Sequence, residues 1–337
     1  MNRFLTLPAD ERRRWCEEAG ATLGLEAPSV EKDLWVCWIL RELFALPEIG
    51  QQLTFKGGTS LSKGWKLIDR FSEDVDIVVD REYLGFSGDN TPESATSNRE
   101  RERRIEAVLE SCRAFVKGPL RRALDERCRA QLQSDWDLSE DLEDPDSQTL
   151  LLRYPTAFPP GGYLRRVVKV ELGARSDTEP SLRPTIRPYL AEALPEQLPD
   201  TDFDLRAVAP ERTFWEKVML LHEETYYPAP DGPRSRLSRH YYDLWCLIRA
   251  GVAERAATDT ALFNRAADHR RLFFRRKREA QDTLRPGLLR LVPSADQLPH
   301  WRRDYDAMRE AMFVTEPPDF TDILGVVGNF QETFNRR

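Results

Sequence analysis

Apolar positions in the first part of the chain recur every three to four residues, the spacing of one helix face. Residues 8–45 read as two helices. Pro8-Ala9-Asp10-Glu11 supplies one start, and Ser29 leads into Leu34, Trp35, Cys37, Trp38, Ile39, Leu40 and Leu43, a wide apolar face with its tryptophans in the core. The period shortens to two at Ser72-Glu73-Asp74-Val75-Asp76, before a fully apolar Ile77-Val78-Val79. Asp74 and Asp76 therefore project from the same face of a strand. Residues 83–98 are rich in turn formers and predict a surface loop, and a single long charged helix follows from about Glu100 to Leu132. Strand character returns over residues 149–188, where Lys169 and Glu171 share one face and the apolar residues of Arg166–Leu172 the other. A proline-rich crossing from Ala193 to Pro210 sets a boundary near residue 205. Beyond it the pattern is helical. Pro210 opens a helix with an apolar stripe of Phe214, Val218 and Leu221, and Ser238 is the expected N-cap of another. The C-terminal stretch predicts one helix, a Pro-Pro break and a final apolar helix. The fold class is thus α+β, with a mixed sheet flanked by helices in residues 1–205 and a helical domain in residues 206–337.

Composition narrows the function classes. A chain of 337 residues, 40% of them hydrophobic, can bury a sizeable core, and 32% charged residues with a net charge of −7 argue against a uniformly basic nucleic-acid binder. No apolar run approaches the roughly 18 residues of a membrane span. The N-terminus MNRFLTLPADERRRW lacks the apolar core of a signal peptide, so a cytoplasmic protein with no membrane partner is expected. Cys16, Cys37, Cys112, Cys128 and Cys246 are scattered, with no Cys-x-x-Cys pair, and read as reduced packing residues.

The chemistry concentrates between Phe55 and Asp80. Gly57 and Gly58, followed by Thr59, Ser60 and Lys63, outline a phosphate-cradling turn, because glycine admits positive φ and close approach of a ligand to the main chain. Asp74 and Asp76, side by side, repel each other unless a cation sits between them. Oxygen ligands without a nearby histidine or cysteine favour Mg²⁺ or Mn²⁺, shared with substrate phosphates. A glycine pair opening a helical turn, then Asp-x-Asp on an apolar strand, resembles the polymerase β-like nucleotidyltransferase superfamily. Within it, GGTSLSK followed by RFSEDVDI is most similar to the AbiEii/MenT family of toxin nucleotidyltransferases, a resemblance that runs from about Ser29 to Phe274.

The resemblance implies a polymerase β-like catalytic domain and several further roles. Glu171 becomes the candidate third carboxylate on a neighbouring strand, although a Lys169-Glu171 pair at a sheet surface explains the same pattern. Arg175 lies within reach of a phosphate. Glu216-Lys217 places a lysine beside the nucleotide triphosphate, and Arg239-x-x-x-Asp243-Leu244 makes Asp243 an active-site aspartate, with His240 one turn earlier. From Arg265 to Arg290 there are nine Arg or Lys against three acidic residues. Arg270, Arg271, Arg275, Arg276, Lys277 and Arg278 would form an RNA-binding ridge, with Phe273 and Phe274 divided between core and base stacking, or a solvated charged helix face. The implied activity transfers nucleotides from an NTP to the 3′ end of tRNA, blocking translation, with a cognate antitoxin as partner. Two rivals remain: a transferase of the same fold that modifies a protein or small molecule, and a non-catalytic RNA-binding regulatory module.

Overall fold

The computed structural model describes the chain except for residues 73, 134, 160–165, 228–235, 275–276 and 314–315. The chain divides into two compact units. One comprises Met1–Gly64 and Glu73–Ala207, the other Trp65–Ser72 and Val208–Arg337.

In the first unit, the helices Ala9–Leu23 and Ala27–Phe44 occupy the positions that the periodicity predicts. The second of these is buried nearly all round, with Trp35 and Trp38 fully inaccessible. Trp35 stacks on Tyr154, ring centres 5.2 Å apart, and the Trp38 indole N–H donates to Gln131 Oε1 at 3.3 Å. A helix apolar on every side belongs inside a core, and this one anchors the sheet beside it.

That sheet has seven strands: β1 (Leu53–Lys56), β2 (Val75–Val79), β3 (Asp137–Glu140), β4 (Thr149–Arg153), β5 (Val167–Gly173), β6 (Ser181–Leu182) and β9 (Ala207–Val208), in the order β3-β4-β5-β2-β1-β9-β6. A separate two-stranded sheet pairs β7 (Thr185–Ile186) antiparallel with β8 (Phe203–Asp204). The seven-stranded sheet is mixed: β1 runs antiparallel to β2, and β2 runs parallel to β5. The register sets Asp76 opposite Lys56 on one side and opposite Glu171 on the other. The strict alternation of burial along β5 turns Lys169 and Glu171 to the accessible face, as expected.

The connection from β2 to β3 contains the predicted long helix, but in two parts. Asn98–Phe115 and Arg121–Gln131 flank a wide turn, Val116–Leu120, that contains Pro119. Proline has no N–H to give the preceding turn and its ring crowds that turn's carbonyl, so the ladder loosens there. The helix starts on a reciprocal cap. Ser97 Oγ accepts from the Glu100 N–H, and the Glu100 carboxylate accepts from the Thr96 N–H.

The second unit is helical. Pro210–Glu224, Thr260–Phe273 and Phe320–Asn335 enclose Trp215, whose ring lies 4.9 Å from Phe263 and 5.1 Å from both Phe214 and Phe334. The helices Leu298–Met312 and Phe320–Asn335 flank Pro317-Pro318, the break that the sequence predicts. Ser238 does precede the helix Arg239–Arg249, yet its hydroxyl caps nothing and is buried without a hydrogen bond. The carboxylate of Asp304 instead braces the segment leading into the helix, accepting from the N–H groups of Arg236 at 2.5 Å and Ser238 at 2.8 Å.

Beyond the glycine pair the helical backbone stops at Gly64, and Lys66 takes positive φ (52°). The segment Trp65–Ser72 packs with the second unit, bridging Arg70 to Phe313 and accepting a hydrogen bond from Tyr242 Oη at Asp69 O.

Candidate active site

In the first unit, β1 delivers the chain into a short helical turn, Gly57–Thr59, which continues as a wider turn through Gly64. Gly57 has φ +81°, and a Cβ placed on it would lie 2.0 Å from Oδ2 of Asp76. The carboxylate thus rests directly on the main chain of the turn, and two requirements for glycine coincide at one position. Gly57→Ala should cost about 1–2 kcal/mol through left-handed strain and should also push Asp76 aside. Transfer activity should therefore fall at least tenfold while chemical unfolding shows only the modest stability loss.

The hydroxyls of the turn are committed to the backbone. Thr59 Oγ1 donates to Asp74 O at 2.5 Å, fastening the turn to the start of β2, and Ser60 Oγ donates to Gly57 O at 2.9 Å. Lys63 is only 5% exposed. Its Nζ lies 2.8 Å from Asp33 Oδ1 and 3.5 Å from the Tyr189 ring centre, and Asp33 Oδ2 accepts the Tyr189 N–H. Burial opposes its charge, but Asp33 outweighs that and holds the ammonium above the ordinary lysine range. The structure therefore places Lys63 as an internal tie between the turn and the helix Ala27–Phe44.

Asp74 and Asp76 are half-buried, as is Glu171, the register partner of Asp76. Glu171 Oε1 is 2.8 Å from Lys169 Nζ, which also lies 3.4 Å from Asp141 Oδ2. Partial burial works against the Lys169 charge, yet the Glu171 hydrogen bond and the charges of Glu171, Asp141 and Asp74 hold it above its usual range. Arg175 is paired with Asp146 at 2.6 Å. The oxygen-only set of Asp74 and Asp76 suits a hard divalent cation. Glu171, as it lies, is a lysine partner, and among the described residues no three His, Cys, Asp or Glu side chains are grouped to hold a metal ion.

The second unit gathers a buried ionic cluster. Helix Pro210–Glu224 presents Lys217, and helix Arg239–Arg249 presents His240 and Asp243. Arg70 grips the fully buried Asp243 in a bidentate pair, Nε to Oδ1 at 2.7 Å and Nη2 to Oδ2 at 2.9 Å, while Lys217 Nζ approaches Oδ2 at 2.8 Å. Lys217 Nζ also meets His240 Nδ1 at 3.2 Å. Burial alone would raise the Asp243 carboxyl, but Arg70 and Lys217 carry it far below the carboxylate range. Lys217 is lowered, first by burial and then by Arg70, and burial with the Lys217 charge pushes His240 well down. Glu216 lies in a pair with Arg212 at 3.2 Å. Sequence reasoning missed Arg70: it stands inside the RFSEDVDI stretch, but nothing local connects it to a carboxylate 173 positions away.

The basic stretch is partly absorbed by the fold. Arg270 is 11% exposed and makes a bidentate pair with Glu223, both contacts at 2.7 Å. Its guanidinium also lies 5.4 Å from the Phe274 ring centre, and Phe273 is buried. Arg271 contacts Asp268 and the carbonyls of Gln281 and Leu284, and Lys277 donates to Tyr226 O at 2.7 Å. Arg278 is largely exposed, 3.6 Å from Asp282. Arg275 and Arg276 lie outside the described residues.

The sequence matches the family described as "Nucleotidyl transferase AbiEii toxin, Type IV TA system" over residues 38–326. The chain belongs to the AbiEii nucleotidyltransferase toxin family. This AbiEii member is accordingly a nucleotidyltransferase of the toxin–antitoxin class. Among solved structures it is similar to MenT4, a nucleotidyltransferase toxin from Mycobacterium tuberculosis H37Rv, at 18% identity and a TM-score of 0.48, covering 98% of this chain and 90% of that one. It is also similar to JHP933 from Helicobacter pylori, at 14% identity and a TM-score of 0.37, covering 91% and 90%. No curated protein sequence matches it. No described helix of this AbiEii member is long and apolar enough to cross a membrane.

Proposed function

We propose that this AbiEii member transfers a nucleotide from an NTP to the 3′ end of tRNA, and that a cognate antitoxin protein restrains it. The observation that carries the catalytic part is the seat of the Asp76 carboxylate on the main chain of Gly57. A turn that binds phosphate and a strand that binds metal are thereby held in fixed register. Asp74 and Asp76 would hold Mg²⁺ or Mn²⁺, which when bound lowers the pKa of an acceptor hydroxyl and offsets charge on the phosphates. Gly57, Gly58, Thr59 and Ser60 would hold the nucleotide through their main chain, since the two hydroxyls already serve the turn. Phosphoryl transfer asks for positioning and charge compensation more than covalent help, which is what a rigid turn of this kind provides. From the family resemblance we carry catalytic roles to Lys217, as a cation for the triphosphate, and to Asp243, as the group that fixes it.

The basic stretch Arg265–Arg290 is our candidate for RNA. Replacing Arg275 and Arg276 together by glutamate should raise the RNA concentration for half-maximal transfer about tenfold and flatten its salt dependence, because each lost phosphate contact releases fewer counterions. The transfer itself is tested by incubating the protein with total RNA and each of the four α-³²P-labelled NTPs. Label entering small RNA is expected. Label entering protein, or remaining in free nucleotide with all four, would overturn the tRNA reading.

A further inference from the structure

Of the charged groups on the accessible face of β2 and β5, the one cation among the carboxylates just described is assigned no role by the activity. Lys169 lies two positions before Glu171 on β5, so the two share a face, and the parallel register sets Glu171 beside Asp76. Its Nζ is within 2.8 Å of Glu171 and 3.4 Å of Asp141. The side chain is about one-third exposed, so it can swing without unpacking the core.

We propose that Lys169 is a positioning residue that sets the metal stoichiometry of the resting enzyme, occupying with its ammonium the place where Glu171 would otherwise help to recruit a second divalent ion. This inference rests on the metal-binding reading of Asp74 and Asp76. A monovalent cation 2.8 Å from Glu171 and 3.4 Å from Asp141 lowers the attraction of this face for a second divalent ion by simple Coulomb repulsion. In the resting protein one ion binds at Asp74 and Asp76. The second arrives with the nucleotide, whose phosphates supply the charge and ligands that Glu171 withholds. Tying the second metal to the nucleotide makes the full metal complement conditional on substrate.

The test is Mn²⁺ binding to the intact chain without nucleotide, followed by the electron paramagnetic resonance signal of free Mn²⁺. Wild type should bind one equivalent, lost in Asp76→Asn. Lys169→Met should bind two, or bind its ions about tenfold more tightly. Lys169→Arg should behave as wild type, and Lys169→Met with Glu171→Gln should return to one. Lys169→Gln serves where the methionine variant is poorly folded by circular dichroism. Unchanged binding in Lys169→Met and Lys169→Gln, with the Asp76-dependent ion intact, would overturn this inference alone. Absence of any Asp76-dependent ion in wild type would overturn the underlying metal reading and this one with it.

Discussion

Replacing Asp243 with alanine should destabilise the protein by about 3–5 kcal/mol, the scale for breaking a buried ion pair from one side. The reason is arithmetic on one cluster. Asp243 is fully buried and faces two cations, Arg70 and Lys217, so its removal strands both in a low-dielectric interior. Asp243→Asn keeps the shape but loses the charge, and should cost nearly as much. Paired replacement of Arg70 and Asp243 by apolar residues of similar volume should recover part of the loss. The pH dependence follows from the direction of the shift. The folded carboxyl titrates far below its ordinary value of 3.8, so its stabilisation is complete above about pH 4 and declines as the pH falls toward the folded value. In urea unfolding, the deficit of Asp243→Asn relative to wild type should stay constant from pH 5 to pH 8 and shrink below pH 4 (the expected profile from that sign). A deficit that grows on acidification would show that Asp243 is not held ionised by its neighbours.

The largest effect on chemistry is expected at Asp76. Asp76→Asn fills the same space against Gly57 and should fold normally, yet it removes a charged metal ligand. Loss of about 4 kcal/mol of transition-state stabilisation corresponds to roughly a thousandfold in rate, and single-turnover transfer should fall by at least that much. The Asp74→Asn variant should resemble it. Glu171→Gln should be much milder, because in the resting protein its carboxylate is engaged by Lys169 at 2.8 Å. Equal losses at Asp76 and Glu171 would instead mean that Glu171 leaves its lysine and acts as a full ligand.

Much of this was legible in the sequence, and the limits have identifiable causes. Periodicity reports which face a residue occupies, so the buried helix Ala27–Phe44 and the Lys169/Glu171 face of β5 were readable from spacing, whereas Asp74, expected on the strand with Asp76, falls just before β2, which begins at Val75. Prolines marked the start of helix Pro210–Glu224 and the break at Pro317-Pro318. Periodicity does not report partners. That Arg70 holds Asp243, that Asp33 holds Lys63, and that Asp304 braces the backbone leading into helix Arg239–Arg249 all depend on tertiary proximity. Pro119 was visible in the sequence, but a proline inside a helix either ends or loosens it, and the choice falls to packing. That Trp65–Ser72 belongs to the second unit was hidden because no local spacing reports which unit a segment joins.

The central claim is that Asp74 and Asp76 hold a divalent metal while the turn at Gly57 holds the nucleotide. A crystal grown with MnCl₂ and a non-hydrolysable NTP analogue, with data collected at the manganese absorption edge, tests it directly. The account predicts an anomalous peak about 2.1 Å from carboxylate oxygens of both aspartates, with the triphosphate against the main chain of residues 57–60. Manganese bound elsewhere, or a triphosphate seated away from that turn, would contradict it.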